Sequence, residues 1–367
     1  YYSYLIKESI DKFITDANNH DIVIWQSIFG FKNKDTEQYL DWQPMIEKVN
    51  SKQIVIIHDA NLKKLYPWIQ LFEHKFAGLA CVHPAAYESA DFMNVPRALI
   101  LNPQDIAGVP PTPPFELREN KLLSIQTFKR WKRVDDLVAA IPYICGNVII
   151  AGDGIERNYM TSKDKCKPEY YCTLDRDPQA SVDRLNKPIW QNALNKGMQY
   201  IGFVSEQKRD AILDTSKFLL DPSWSQTYGE HFNRVIVDAM KRGVVPIARN
   251  LGVSDNEEGV GFFKPNENYL MIPWNATPKQ FGDLINGWLN MSEADYNKIV
   301  ENNFEIIKKF DRKVIAAEYI ALTTGTSNPE KGKYDGNLDD TIDSVWCDHF
   351  GFEDRLNAIS TLDALFG

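Results

Sequence analysis

The sequence contains no apolar run approaching the roughly 20 residues a helix needs to cross a bilayer. It also lacks the basic-then-apolar opening of a secretory signal. Together these absences lead us to expect a soluble, cytoplasmic protein with no stable membrane insertion. Cysteine is scarce: the five residues Cys81, Cys145, Cys166, Cys172 and Cys347 are odd in number and scattered, which argues against a disulfide framework and fits a reducing compartment. Cys166 and Cys172 are the one close pair, and their spacing matches no common zinc site, so they read as free thiols and no metal is expected. Positive charge is in deficit, with 41 Lys and Arg against 50 Asp and Glu and a net charge of −9. A chain of that balance does not attract a polyanion as a whole, so nucleic acid could bind only through a local basic groove. No methionine opens the chain, and a helix-like stretch precedes the apolar run Asp21–Trp25. Because a doubly wound domain normally opens on a strand, an earlier strand and loop are expected to be missing.

What is present is an alternation. At 367 residues with 44% apolar content, the chain is long enough for two domains, each with its own core. Strand-like runs at Ile22–Trp25, Ile54–Ile57, Leu79–Val82 and Ala98–Leu101 are separated by helix-like stretches near Gln38–Val49 and Leu62–Phe76. Short apolar runs alternating with amphipathic ones predict a parallel sheet covered on both faces. The segment Gly108-Val109-Pro110-Pro111-Thr112-Pro113-Pro114 cannot continue a helix or a central strand, since proline fixes φ and lacks an amide donor, and it reads as a linker. A second series follows: strand Leu122–Gln126, a helix carrying Val134, Leu137, Val138 and Ile141, strand Asn147–Ala151, strand Tyr200–Phe203, helix Gln207–Asp214, strand Phe218–Asp221, helix His231–Arg242 and strand Val244–Ala248. The expectation is two Rossmann-like α/β units with a cleft between them, facing the carboxyl ends of the strands, where open parallel sheets usually bind ligands.

The most informative stretch runs from Asp221 to Pro246. A strand ends, a polar loop follows, and a helix begins with Glu230 at its mouth. Unsatisfied amides and the helix dipole at such a position favour phosphate. Asp238 lies eight residues beyond Glu230, on the same flank, and Gly243 ends the helix where positive φ is favoured. Taken singly, Glu230 and Asp238 are explained as a helix-start charge and a solvated face residue.

As a whole, this string resembles the retaining glycosyltransferases of the GT-B fold, the glycogen-synthase-like group. Their signature is a carboxylate, seven residues, a second carboxylate, then Ala-Met and Gly-x-Pro; Glu230, Phe232, Asp238, Ala239-Met240, Gly243 and Pro246 match it. The resemblance implies that Glu230 contacts donor-sugar hydroxyls and Asp238 the nucleotide ribose. It implies that amides of Phe232, Asn233, Arg234 and Val235 hold the sugar and diphosphate. Asp238 is shorter than the usual glutamate, and Asn233 stands where glycine is common. Phe128-Lys129-Arg130-Trp131-Lys132-Arg133 resembles the family's strand–loop–Lys-Gly element, so Lys132, with Arg130 or Lys129 in place of the usual arginine at Thr127, would neutralise the leaving diphosphate. Gly152-Asp153-Gly154 matches the family's strand-end turn, and Phe203 and Val204 the segment beside the base. His58, ending the strand Ile54–Ile57, matches a histidine beside the reacting sugar. The domains implied are 1–107 on the acceptor side, a linker 108–120, a donor-binding domain 121–305, a helix 306–322 crossing back, and a tail 323–367 of unassigned role.

The reaction implied is transfer of a sugar from a nucleotide-sugar, with a UDP-sugar expected, to an acceptor hydroxyl with retained configuration. The nucleotide-sugar is a co-substrate, and no further cofactor is expected. For the acceptor two readings stay open. Trp131-Lys132 and Gly154-Ile155-Glu156-Arg157 resemble parts of T-even phage DNA glucosyltransferases, and the insertion Lys163–Tyr171 mixes cations with aromatics, which would suit double-stranded phage DNA bearing hydroxymethylated bases in a host cytoplasm. The alternative is a glycan or lipid-linked acceptor, with Leu62, Leu65, Trp68, Ile69, Phe72 and Phe76 forming either a membrane-lying stripe or a core face. A silent nucleotide-sugar-binding module is the third class.

Overall fold

The structure is a computed structural model; it describes residues 11–26, 43–58, 62–65, 67–106, 112–129, 132–161, 185–223, 234–249 and 263–325. The chain divides into two compact units, one of residues 1–82, 86–103 and 312–367, the other of 83–85 and 104–311. Both are built on parallel sheets, as the alternation of elements predicts.

In the first unit, strands β1 (Ile22–Trp25), β2 (Lys52–Ile57), β3 (Phe76–Cys81) and β4 (Arg97–Leu99) lie side by side in chain order, every pair parallel. Residues 54–57 are all buried, as expected of a strand covered on both faces. Helix α1 (Gln43–Lys48) ends one residue before the predicted Val49, and residues 38–42 of the predicted stretch lie outside the described residues. The predicted helix Leu62–Phe76 is not continuous. It breaks into α2 (Leu62–Leu65) and a 3-10 segment, Pro67–Lys75, and Phe76 already belongs to β3. Pro67 supplies the reason, because proline lacks the amide donor that a continuing α-helix needs. The apolar stripe here belongs to the core: Leu62, Ile69, Phe72 and Phe76 are buried in one cluster with Trp25, Ile46 and Leu79. The membrane-lying reading of that stripe therefore loses its basis.

A helix α3 (Pro84–Ser89) follows β3. Helix α11 (Arg312–Thr324), at the far end of the described chain, packs on β3. Gly78 makes the approach possible, since a Cβ there would lie 2.5 Å from Leu322 Cγ. Lys52 Nζ donates to Thr323 O at 3.2 Å, tying the end of α11 to β2.

The second unit holds strands β5 (Glu119–Ile125), β6 (Asn147–Ala151), β7 (Gln199–Gly202), β8 (Ser216–Asp221), β9 (Val245–Ala248) and β10 (Leu270–Met271), all parallel, in the order β10-β9-β8-β5-β6-β7. The first strand lies in the middle and the chain winds outward in both directions, which is the doubly wound Rossmann order. Helices α4 (Val134–Ala140), α5 (Ile155–Thr161), α6 (Ile189–Asn195), α7 (Glu206–Thr215), α8 (Arg234–Lys241), α9 (Pro278–Leu289) and α10 (Glu293–Ile307) complete the unit. β5 opens three residues before the predicted Leu122, inside the stretch read as linker. The capping signals are local and legible: Thr277 and Gln280 form a reciprocal capping box on α9, and Ser292 caps α10 by accepting from Asp295 N. Buried Arg118 gathers the carbonyls of Pro113, Ser216 and Arg242, satisfying turns at the amino ends of the strands.

Glu318 on α11 generates a pH prediction. Its Oε2 is buried and finds no hydrogen-bond partner among the described residues, and burial pushes its carboxyl from 4.5 to about 7. Below pH 4.5 both folded and unfolded states hold the proton and the residue is neutral toward stability; above about 7 the fold must carry a desolvated carboxylate. Glu318→Gln should therefore match wild type in acid. It should exceed wild type by about 1 kcal/mol above neutrality, after discounting for partial exposure, in urea melts run from pH 4 to 8.

Candidate functional site

In a doubly wound sheet the chain leaves the two central strands in opposite directions, opening a crevice at their carboxyl ends. Here those strands are β5 and β8, and four buried polar residues meet at their carboxyl ends, Ser124 and Asp221 within them and Gln126 and Ser223 just beyond. Gln126 Nε2 donates to Ser124 Oγ at 2.9 Å, and the Ser223 hydroxyl lies 3.3 Å from Gln126 Oε1 and within hydrogen-bond reach of Asp221 Oδ1. Ser223 N donates to the same Asp221 oxygen at 3.1 Å. Polar groups at this depth are costly unless satisfied, so the lattice fixes both strand ends.

The turn after β6 locks onto the loop after β5. Gly152 and Gly154 have φ of 114° and 157°. A Cβ on Gly152 would lie 1.8 Å from the Gln126 carbonyl oxygen, and one on Gly154 2.4 Å from that of Phe128. Phe128 N donates to Asp153 O at 2.9 Å and Gln126 N to Ala151 O at 3.1 Å. Gly152 N reaches Gly202 O at 2.8 Å, extending the contact to β7. Asp153 itself faces outward, where Arg157 and the Gly154 amide hold its carboxyl below the usual range. The glycines thus serve close backbone approach, and the loop they brace carries Lys129 and leads to Lys132.

Lys132 is 8% exposed, at the threshold of α4. Arg133 follows it in a left-handed conformation, φ 53° and ψ 36°. Its guanidinium makes a two-pronged pair with Asp136, Nε–Oδ2 at 3.0 Å and Nη2–Oδ1 at 3.2 Å, and lies 3.8 Å from Asp135 Oδ1. Arg249, the residue after β9, brings Nη2 to 2.6 Å from Asp136 Oδ2. All five charged side chains are buried.

Phe203 is 87% exposed although it directly follows β7, and Val204 beside it is half-buried. An uncovered aromatic at a strand's carboxyl end is a surface on which a flat ring can stack. On α8, Arg234 is exposed and Val235 half-buried at the first turn, while the Asp238 carboxylate is 3.3 Å from Arg209 Nη1 and 3.7 Å from Lys241 Nζ. Any ribose hydroxyl bound by Asp238 would share it with these two cations. His58 is exposed and directly follows β2 of the first unit. Arg130, Glu230, Phe232 and Asn233 lie outside the described residues. Among the described residues, no group of three metal-ligating side chains is gathered and no helix is long and apolar enough to cross a membrane.

Sequence reasoning missed the polar lattice of Gln126, Asp221 and Ser223, and it missed Arg249 altogether. Asp136 carries no role in it either. The available signal was a charged residue directly after each buried apolar run, at Asp221 and at Arg249.

The glycine turn yields a prediction. Gly152→Ala must move the Gln126 carbonyl and adopt a φ that alanine disfavours, so it should destabilise the second unit by about 2–4 kcal/mol in chemical denaturation. Gly197→Ala, at a positive φ of 103° but with nothing within 4 Å, isolates the backbone part and should cost about 1 kcal/mol.

The sequence model of the family described as Glycosyl transferases group 1 matches residues 111–305, more than half of the chain. Among curated protein sequences no match is found. Among solved structures, Anabaena Alr3699/HepE in complex with UDP and glucose superposes with a TM-score of 0.60 at 15% identity, over 87% of this chain and 81% of that one. A glycosyltransferase from Rickettsia africae gives 0.56 at 17% identity over 88% and 79%. A single-residue mutant of S. aureus TarM, in complex with Fondaparinux, alpha-GlcNAc-glycerol and UDP, gives 0.55 at 16% identity over 77% of this chain and 53% of that one. At such identities the structures speak for the fold, and the fold is theirs. The family match carries the assignment: this chain belongs to the group 1 glycosyl transferases and is a glycosyltransferase.

Proposed function

We propose that the second unit binds a UDP-sugar at the β5/β8 crevice and that the enzyme transfers the sugar with retention of configuration. The observation that carries this reading is the buried Lys132, held at the start of α4 at the end of the loop that follows the central strand of the doubly wound sheet. In this assignment the donor diphosphate lies against Lys132 and the loop before it, and the uracil ring lies on Phe203. Solved relatives that hold UDP, or UDP with glucose, support that choice of donor.

Transfer breaks the bond between the sugar's anomeric carbon and the β-phosphate oxygen and forms a bond from that carbon to the acceptor oxygen. The acceptor's proton passes to the leaving phosphate on the same face. The protein's part is positioning, together with stabilising negative charge on the diphosphate as the bond opens. Lys132, with Arg130, serves the charge; Glu230 and the amides of residues 232–235 grip the sugar and phosphates; Asp238 takes the ribose; His58 stands beside the sugar. For the acceptor we propose a hydroxymethylated base in phage DNA, on the resemblance of Trp131-Lys132 and of residues 154–157 to phage DNA glucosyltransferases. A glycan acceptor is the second reading, favoured by the net charge of −9, which opposes a polyanion.

Nucleotide release from a panel of nucleotide-sugars, with and without hydroxymethylcytosine DNA, tests both levels. DNA-stimulated release with a hexose- or pentose-sized gain in nucleoside mass is the expected result; slow, DNA-independent release would replace DNA by a glycan, and no release from any donor would defeat the donor assignment. Glu230→Ala should lower kcat/KM by about 10²–10³-fold. Phe203→Ala should leave stability within about 0.5 kcal/mol, since the ring is exposed, yet weaken UDP binding by about tenfold through lost stacking.

A further inference from the structure

We infer that Arg249 is a positioning residue for the donor diphosphate, acting through Asp136 and Arg133 to hold the backbone that presents Lys132; this rests on the donor site proposed above. Four observations converge on it. Arg133 occupies the left-handed region, φ 53°, which a side chain with a Cβ enters only under constraint. It receives no cap from its own side chain at the start of α4; its guanidinium instead reaches three residues on to Asp136. Asp136 Oδ2 is shared, 3.0 Å from Arg133 Nε and 2.6 Å from Arg249 Nη2. Arg249 is 8% exposed and directly follows β9, which is separated from β5 in the sheet by β8.

The shared carboxylate therefore joins the end of β9 to the loop after β5, spanning the β5/β8 crevice. Two guanidinium groups on one buried carboxylate give a fixed geometry, because each fork is planar and each pair is shielded from water. Removing Arg249 takes away one of the two guanidinium anchors of Asp136. The Arg133–Asp136 pair survives but is no longer tied to the end of β9, so the pair and the peptide that joins Arg133 to Lys132 can shift together. The ammonium of Lys132 loses its fixed position, while Phe203, directly after β7 on the far side of β6, is untouched. Phosphate affinity and nucleoside affinity should therefore separate.

The test compares UDP and uridine on the full chain, UDP by calorimetry and uridine by ligand-observed NMR. Arg249→Met should weaken UDP by about tenfold to a hundredfold, the scale of a misplaced catalytic contact, with uridine unchanged. Arg249→Lys, which keeps the charge but not the fork, should fall between the two. The decisive variant is the triple Arg133→Gly, Asp136→Leu, Arg249→Met. Glycine adopts the left-handed turn without an anchor and the ionic cluster is gone, so UDP affinity should recover to within a few-fold of wild type. If Arg249→Met does not fold, Arg249→Lys and the triple variant are read alone, with the same expectation. Equal loss of UDP and uridine binding would make Arg249 merely structural and overturn the inference. So would a triple variant no better than Arg249→Met, or unaltered UDP binding in Arg249→Met. Failure of wild type to bind UDP, ADP or GDP would instead overturn the donor site on which the inference rests.

Discussion

Asp136 sits between the guanidinium groups of Arg133 and Arg249 where water is nearly excluded, and the placement of the loop after β5 depends on that three-membered contact. A lone buried carboxylate would be destabilising, and so would either arginine without it; together their charges offset one another, and the shared contact leaves little freedom to the chain that carries them. The consequence is local and chemical. A lysine side chain, by itself flexible, is presented from a backbone held in a conformation that the sequence alone would avoid.

The rest of the second unit supplies the frame for that contact. The buried apolar strands β6, β8 and β9 set the spacing of their carboxyl ends. Gly152 and Gly154 let the turn after β6 close on the carbonyls of Gln126 and Phe128, distances no Cβ would permit. The lattice of Ser124, Gln126, Asp221 and Ser223 pins the two central strand ends together. Packing thus brings the strand ends to one level, and polar contacts fix the loops that leave them.

Much of this is legible in the sequence, for identifiable reasons. Continuous runs such as Val148–Ala151 and Phe218–Leu220 have few alternatives to a strand buried on both faces, and their alternation with amphipathic stretches announces the parallel sheet. Lys132, Gly152 and Gly154 stand out through the resemblance, as matches to the family's strand–loop–Lys-Gly element and strand-end turn. Pro67 breaks what reads by its apolar spacing as one amphipathic helix, and there the chemistry of a single residue outweighs the periodicity around it. Arg249 and Asp136 are illegible for a different reason: they are 113 positions apart in sequence (249 less 136) and meet because the sheet order places β9 two strands from β5. No local pattern encodes a contact made by topology. The roles given to Glu230, Phe232, Asn233 and Arg130 rest on the resemblance, since these positions lie outside the described residues.

The central claim, that the loops at the β5/β8 crevice form the donor site, is tested most directly by hydrogen–deuterium exchange of the full chain with and without UDP. Bound UDP should slow exchange of amides at 126–133, at 152–156, at 203–204 and in the first turn of α8, while leaving the opposite, amino-terminal ends of the same strands unchanged. Protection confined to the amino-terminal ends of those strands, or to the first unit alone, would contradict it.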